Sequence, residues 1–362
     1  MKCAVCRGPA VIDLRRHNAN FCADHFLKFC RDQVVRAIDE YDMIEPGERV
    51  LVAVSGGKDS LALWDLLLEL GYDTEGMTIG LGIGDYSTAS TEAAIAFAAR
   101  RNLTLGRIDL RGDYDYDIPT AAAVTRRVPC SSCGLSKRHL IDRAALDGDY
   151  DVVATGHNLD DEAAVLFGNV LHWHTEYLGR QRPVLAERIG PEHDTRSGGR
   201  SGGAEAGTRV FPRKVKPLVR LTERETAAYC VLRGIDYVVE ECPMAEGNRH
   251  LRYKEALNAV EAASPGAKQA FYFGFLARAA DRFAPEPDGG DGEVRSCARC
   301  GSPTTGEVCA FCRLIDQVTG HDPVPVELVR PQRGGSRRRR ARTKRPSGQA
   351  ATGAQDSTGF AT

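Results

Sequence analysis

From about Glu45 to Phe283, short apolar runs alternate with longer stretches in which apolar positions recur every three to four residues. Val50–Val54, Met77–Leu81, Leu105–Leu110, Val152–Thr155 and Tyr237–Glu240 have the length and β-branched content of buried strands. Helix-period segments follow near Leu61, Thr91, Gly134, Asp160, Glu223 and Leu251, and Thr222-x-x-Glu225 is a capping-box start for one of them. The alternation predicts an α/β fold: a doubly wound parallel sheet with helices on both faces and ligands at the carboxyl ends of its strands.

The pattern changes at both ends of this region, which sets the expected domain boundaries. Residues 1–30 read as a small Cys/His module, 45–285 as the α/β domain, 295–320 as a second cysteine module and 330–362 as a disordered tail. Residues 188–209 are rich in Gly and predict a flexible insertion in the large domain. A net charge of −1 conceals an uneven distribution. Residues 330–345 hold eight Arg and one Lys without an acid, and the first 329 residues carry 39 basic and 48 acidic side chains. A basic tail on an acidic body suggests a polyanion partner. No stretch approaches the ~18 apolar residues of a membrane span, and the N-terminus lacks an apolar signal core, so a cytoplasmic protein is expected.

The first concentration of chemistry lies where the Val50–Val54 run meets the helix near Leu61. Ser55-Gly56-Gly57-Lys58-Asp59-Ser60 fills that turn. Two glycines let backbone N–H groups approach an anion, the helix N-terminus adds its dipole, and Ser55, Lys58 and Ser60 add donors. A Walker A loop is excluded, because Val52 stands where its first Gly belongs and Asp59 where Ser or Thr follows Lys. The motif resembles the PP-loop of the N-type ATP pyrophosphatases, which split ATP to AMP and pyrophosphate while adenylating a substrate oxygen.

Twelve cysteines in a long chain without secretory features favour metals over disulfides. Cys3-x2-Cys6 with Cys22-x2-His25, and Cys297-x2-Cys300 with Cys309-x2-Cys312, each offer four ligands in two pairs, which suits closed structural zinc sites. Cys30 and Cys230 sit in helix-period segments and read as core. Cys130-x2-Cys133 opens a helix that carries Lys137, where the dipole and nearby cations favour thiolates. Cys242 lies just past a predicted strand end, on the ligand-bearing edge. Three thiolates without a fourth fit an iron–sulfur cluster, of the 4Fe-4S kind, with one iron free to hold an external sulfide. The competing reading is a Cys130/Cys242 pair working through persulfide and disulfide without metal.

Gly156-His157-Asn158-Leu159-Asp160-Asp161-Glu162 follows the Val152–Thr155 run. Gly156 permits close backbone approach, and the acidic trio suits Mg²⁺ or the orientation of Lys137. A favourable helix N-terminus accounts for a single acid there, but not for the whole motif.

Taken together, SGGKDS, PCSSCG with Lys137-Arg138, GHNLDDEA and ECPM, with a Cys/His module at each end, resemble the tRNA-uridine 2-sulfurtransferases of the TtuA/NcsA type over residues 1–320. The resemblance implies adenylation of the uridine C2 oxygen, displacement of AMP by sulfur, and a 2-thiouridine product. It implies cluster ligands Cys130, Cys133 and Cys242, and Lys137 and Asp161 beside the reacting base and ATP. It implies ATP contacts at Ala53, Ser55, Asp59, Ile79 and Gly156 within and beside the PP-loop. The implied partners are tRNA and a ubiquitin-like sulfur carrier with a thiocarboxylated C-terminus; a homodimer is a further expectation. Other adenylating PP-loop enzymes (2-thiocytidine or lysidine synthases) and a non-catalytic RNA-binding or sulfur-carrier scaffold are the alternatives.

Overall fold

The computed structural model describes residues 1–189, 209–284 and 295–319. Most of the expected 188–209 insertion and all of the basic tail lie outside the described residues. Two short antiparallel strands, β1 (Ile12–Leu14) and β2 (Ala19–Phe21), lead into the long helix α1 (Ala23–Glu40). The chain then runs β3 (Arg49–Ala53), α2 (Lys58–Glu69), β4 (Asp73–Gly80), α3 (Gly84–Arg101) and β5 (Leu105–Asp109). Short helices α4 (Leu110–Tyr114) and α5 (Ile118–Thr125) precede α6 (Pro129–Asp147), β6 (Val152–Thr155) and α7 (Leu159–Leu171). After α8 (Thr175–Leu178) come β7 (Val184–Leu185), β8 (Arg188–Ile189), β9 (Arg209–Phe211) and β10 (Arg213–Val215). Helices α9 (Glu223–Arg233), α10 (Arg249–Ala263) and α11 (Ala267–Arg278) follow, then β11 (Arg295–Ser296), β12 (Pro303–Thr304) and α12 (Ala310–Thr319).

The central sheet has the order β5-β4-β3-β6-β10-β7; its first five strands are parallel and β7 is antiparallel at the edge. Successive strand residues face opposite ways. Val50, Val52, Val152 and Ala154 accordingly enter one core with Trp64, Phe97, Leu166 and Tyr229. Leu51, Val153, Met77 and Ile108 enter the other with Leu140, Ala144, Phe311 and Leu314. Burial on both faces explains why these strands read as continuous apolar runs. From β3 the chain builds outward to β4 and β5, then returns to β3's other side as β6. The crevice beyond the carboxyl ends of β3 and β6 is therefore the switch point where such folds bind ligands.

One predicted strand is absent. Tyr237–Glu240 makes only a single parallel bridge, Gly57 to Val238, and Val239 is exposed. The fifth parallel strand is instead β10, whose Arg213 and Lys214 reach carboxylates of Glu48 and Asp142. The expected capping box is present: Thr222 Oγ1 accepts from the Glu225 N–H at 3.3 Å, and Glu225 Oε2 accepts from the Thr222 N–H at 2.8 Å.

Candidate active site and cysteine clusters

The turn after β3 is shaped by two close approaches. Gly56 has φ 77°, and a Cβ there would lie 2.0 Å from the Ser90 carbonyl oxygen. A Cβ on Gly156, at the end of β6, would lie 2.9 Å from the Ser60 amide nitrogen. Glycine at 56 lets the turn pass against α3, and glycine at 156 lets the loop after β6 reach the start of α2. Ser55 is exposed, its hydroxyl 3.2 Å from that of the buried Ser60, which donates to the Gly57 carbonyl at 3.0 Å. Beside this turn opens a cleft of about 560 Å³, solvent included, lined by Ala53, Ser55, Ile79, Tyr86, Ser90 and Lys137. Three of the five expected nucleotide contacts, Ala53, Ser55 and Ile79, thus share one wall with Lys137.

Other expected site residues point elsewhere. Lys58 does not converge with Ser55: its Nζ lies 2.7 Å from Glu223 Oε1 on α9 and 3.2 Å from Asp59. Asp59 is not freely exposed. Its Oδ1 accepts from Asn158 Nδ2 at 3.1 Å and from the Thr226 hydroxyl; burial pushes its pKa up, against the pull of Lys58. Asp161 does not orient Lys137 but pairs with Lys254 Nζ at 2.6 Å, closing a capping box with Asn158. Burial opposes its ionisation, but Lys254 and His157 outweigh that and hold the carboxyl below its usual value. The acidic trio does not converge either, since Asp160 pairs with Lys268 and Glu162 with Lys216. Lysines answer each acid separately, so the trio forms no metal cage. Lys254 and Thr226 carried no sequence signal, being drawn in across more than 90 residues of chain.

Cys130 and Cys133 are the second and fifth residues of α6, with Pro129 at its start. Cys130 Sγ lies 3.7 Å from Asn248 Nδ2 and 4.0 Å from the Met244 carbonyl, which brings the Cys242–Asn248 segment against it. Cys133 and Cys242 pack on the same apolar cluster. The expected lowering of the Cys130 pKa is reversed. Burial raises it, as do the neighbouring Cys133 and Cys242, and these outweigh the Asn248 hydrogen bond and Lys137. Cys133 and Cys242 thus oppose ionisation of Cys130, a repulsion that a bound cation would relieve. Cys30 and Cys230 are buried in the core, and burial pushes the Cys230 thiol up to about 12.

The two end clusters are tighter. Cys3, Cys6, Cys22 and His25 present ligand atoms within 4.8 Å of one another, as do Cys297, Cys300, Cys309 and Cys312, and both could hold a metal ion. The sulfurs of Cys6 and Cys22 are 3.8 Å apart, those of Cys297 and Cys312 3.8 Å, and those of Cys300 and Cys309 3.7 Å. Desolvation raises the Cys3 pKa, but the N–H groups of Cys6, Cys22 and Val5 bring it down to about 6. The C-terminal cluster docks on α6: Arg143 donates to the Cys300 carbonyl at 2.8 Å and His139 stacks on Phe311.

Residues 2–27 match the family model of the 2-thiouridine synthetase TtuA N-terminal LIM domain. A tRNA-5-methyluridine(54) 2-sulfurtransferase of Thermus thermophilus is 48% identical over 319 residues, 88% of this chain and 92% of its own length. The chain belongs to this sulfurtransferase family. A Pyrococcus horikoshii member of the same name is 39% identical, covering 87% of this chain and 93% of its own. Among solved structures, the U34-tRNA thiolase NcsA of Methanococcus maripaludis, described with its [4Fe-4S] cluster, has the same fold. It superposes with TM-score 0.66 at 23% identity, over 87% of this chain and 95% of that one. No described helix is long and apolar enough to cross a membrane.

Proposed function

We propose that the chain replaces the C2 oxygen of uridine 54 in tRNA by sulfur, at the expense of ATP, in the cytoplasm. The observation that carries this reading is the layout of α6. Cys133, Lys137 and Ile141 are spaced four apart on one helical face, with Cys130 one turn before them. Lys137 and Ile141 line the cleft beside the glycine turn, while Cys130 meets the Cys242–Asn248 segment and Cys133 packs on the same apolar cluster as Cys242. One helix thus joins the cleft beside the glycine turn to the three central cysteines. Position 54 is favoured because the relatives of highest identity reported above carry that name.

A carbonyl oxygen leaves poorly. Attack of the uridine C2 oxygen on the α-phosphorus of ATP releases pyrophosphate and turns that oxygen into a phosphate ester. Sulfide, released when water hydrolyses the carrier's thiocarboxylate to a carboxylate, then adds at C2 and AMP departs with the oxygen. The Ser55 hydroxyl and the N–H groups at the start of α2 hold developing phosphate charge, and the Lys137 ammonium stands where phosphate and C2 oxygen meet. The described carboxylates offer no cage for Mg²⁺, which would enter on the nucleotide's own phosphates. Cys130, Cys133 and Cys242 would hold a [4Fe-4S] cluster, which supplies sulfur handling when bound. Ser55→Ala is expected to slow tRNA-dependent AMP release by about 10²-fold, the usual effect of losing one transition-state donor. Labelled ATP measures this, and wild-type AMP release by the variant would remove the glycine turn from the reaction.

Zinc is the proposed occupant of both end clusters. Zn–S bonds of ~2.3 Å in a tetrahedron place sulfurs about 3.8 Å apart, which the observed separations match. Elemental analysis of protein prepared without air should return about two zinc ions per chain, and strong chelators should unfold both modules. Folded, active protein without zinc would reject the assignment.

A further inference from the structure

A run of rings crosses the surface from the end of α7 to the start of α10. Tyr177 meets His174 with centroids 5.8 Å apart, and His174 stacks on His172 at 5.5 Å and 24°. His172 Nε2 lies 2.9 Å from the Tyr253 hydroxyl, and Tyr253 meets His250 at 6.0 Å. Between the two histidines, Trp173 is 70% exposed with φ 51°, a left-handed conformation that is costly for a bulky residue. Its backbone is pinned there, the Trp173 N–H donating to Val170 and the Thr175 N–H to Trp173. The ribbon is also fitted to its support: a Cβ on Gly168 in α7 would lie 2.7 Å from the Tyr253 ring.

Its position matters more than its exposure. Asn248 caps α10, accepting from the His250 N–H at 2.9 Å, while its Nδ2 reaches Cys130 Sγ. Lys254, beside Tyr253 in sequence, holds Asp161. The ribbon therefore ends at the proposed reaction centre. Exposed Arg249 and Arg252 stand on α10, with Glu176, Glu246 and Glu255 the nearby acids in sequence.

We propose that this ribbon is a stacking platform for unpaired nucleotides flanking the target uridine, an inference that rests on the tRNA reading above. A target base drawn out of its stack leaves neighbours unstacked, and aromatic faces with guanidinium groups replace those contacts without regard to sequence.

The test follows tryptophan emission while full-length protein is titrated with unmodified tRNA transcript. The chain has two tryptophans and Trp64 is fully buried, so a base stacking on Trp173 quenches the exposed component. Trp173→Phe should abolish the quench. Trp173→Ala with Tyr177→Ala should raise the tRNA dissociation constant by at least ~10-fold, with Trp64 emission reporting an intact core. An unquenched Trp173 at tRNA concentrations that support thiolation overturns the platform and leaves the function standing. Quenching without any thiolation keeps the platform and overturns the function. If the alanine pair converts a dimer to a monomer and leaves tRNA affinity unchanged, the surface belongs to a second copy and the proposal falls.

Discussion

Cys133→Ala is expected to bind ATP yet lose both the visible absorption of an iron–sulfur cluster and tRNA thiolation. Cys133 follows Cys130 by three residues on α6 and packs on the same apolar cluster as Cys242, so its loss leaves two thiols and no tridentate site. The described cleft is lined by Ala53, Ser55, Ile79 and Lys137 and by none of the three cysteines, so nucleotide binding should survive. The comparison is made after anaerobic reconstitution, with Cys230→Ala as control. Cys230 lies buried against the Lys58 carbonyl and serves packing, so its variant should thiolate after a modest loss of stability. Normal thiolation by Cys133→Ala would leave a persulfide on Cys130 or Cys242 as the working account.

Arg16→Ala is expected to be the most damaging substitution outside the site. Arg16 leaves the N-terminal module to meet Glu225 at 2.6 and 3.0 Å, and also donates to Gln269 Oε1 and the Arg220 carbonyl. The paired side chains are 6% and 2% exposed. Removing the guanidinium strands a buried carboxylate, which costs ~3–5 kcal/mol. Glu225 also closes the capping box of α9, the helix that carries Glu223 and Thr226 toward Lys58 and Asp59. Damage should therefore spread from the module to the glycine turn. Denaturant unfolding of Arg16→Ala, Glu225→Gln and the double variant measures the coupling. Additive losses would show that the pair does not join the module to the domain.

The motif-bearing half of this site was legible because its constraints are local. A strand, a glycine turn and a helix start are contiguous, and paired cysteines declare metal geometry by spacing alone. What escaped was set by partners distant in sequence. Arg213–Val215 is too polar to read as a central strand until Glu48 and Asp142 are seen to receive its charges. Tyr237–Glu240 is apolar enough for a strand, yet it passes the glycine turn with one bridge and continues toward Cys242. Asp161 reads naturally as a partner for Lys137, and only the packing of α10 on α7 supplies Lys254 in its place. The pull of a helix start and nearby cations on Cys130 was readable, but the burial and neighbouring thiols that outweigh it were not.

Thiolation of tRNA at uridine 54 is the activity proposed for this chain. It is tested most directly by giving the anaerobically reconstituted protein ATP, a sulfide donor and unmodified tRNA, then mapping modified nucleosides by mass spectrometry of nuclease fragments. The expected product is 2-thiolation in the fragment containing position 54, with one AMP released per sulfur incorporated. Sulfur found only at position 34, or AMP released with no sulfur in the tRNA, would contradict it.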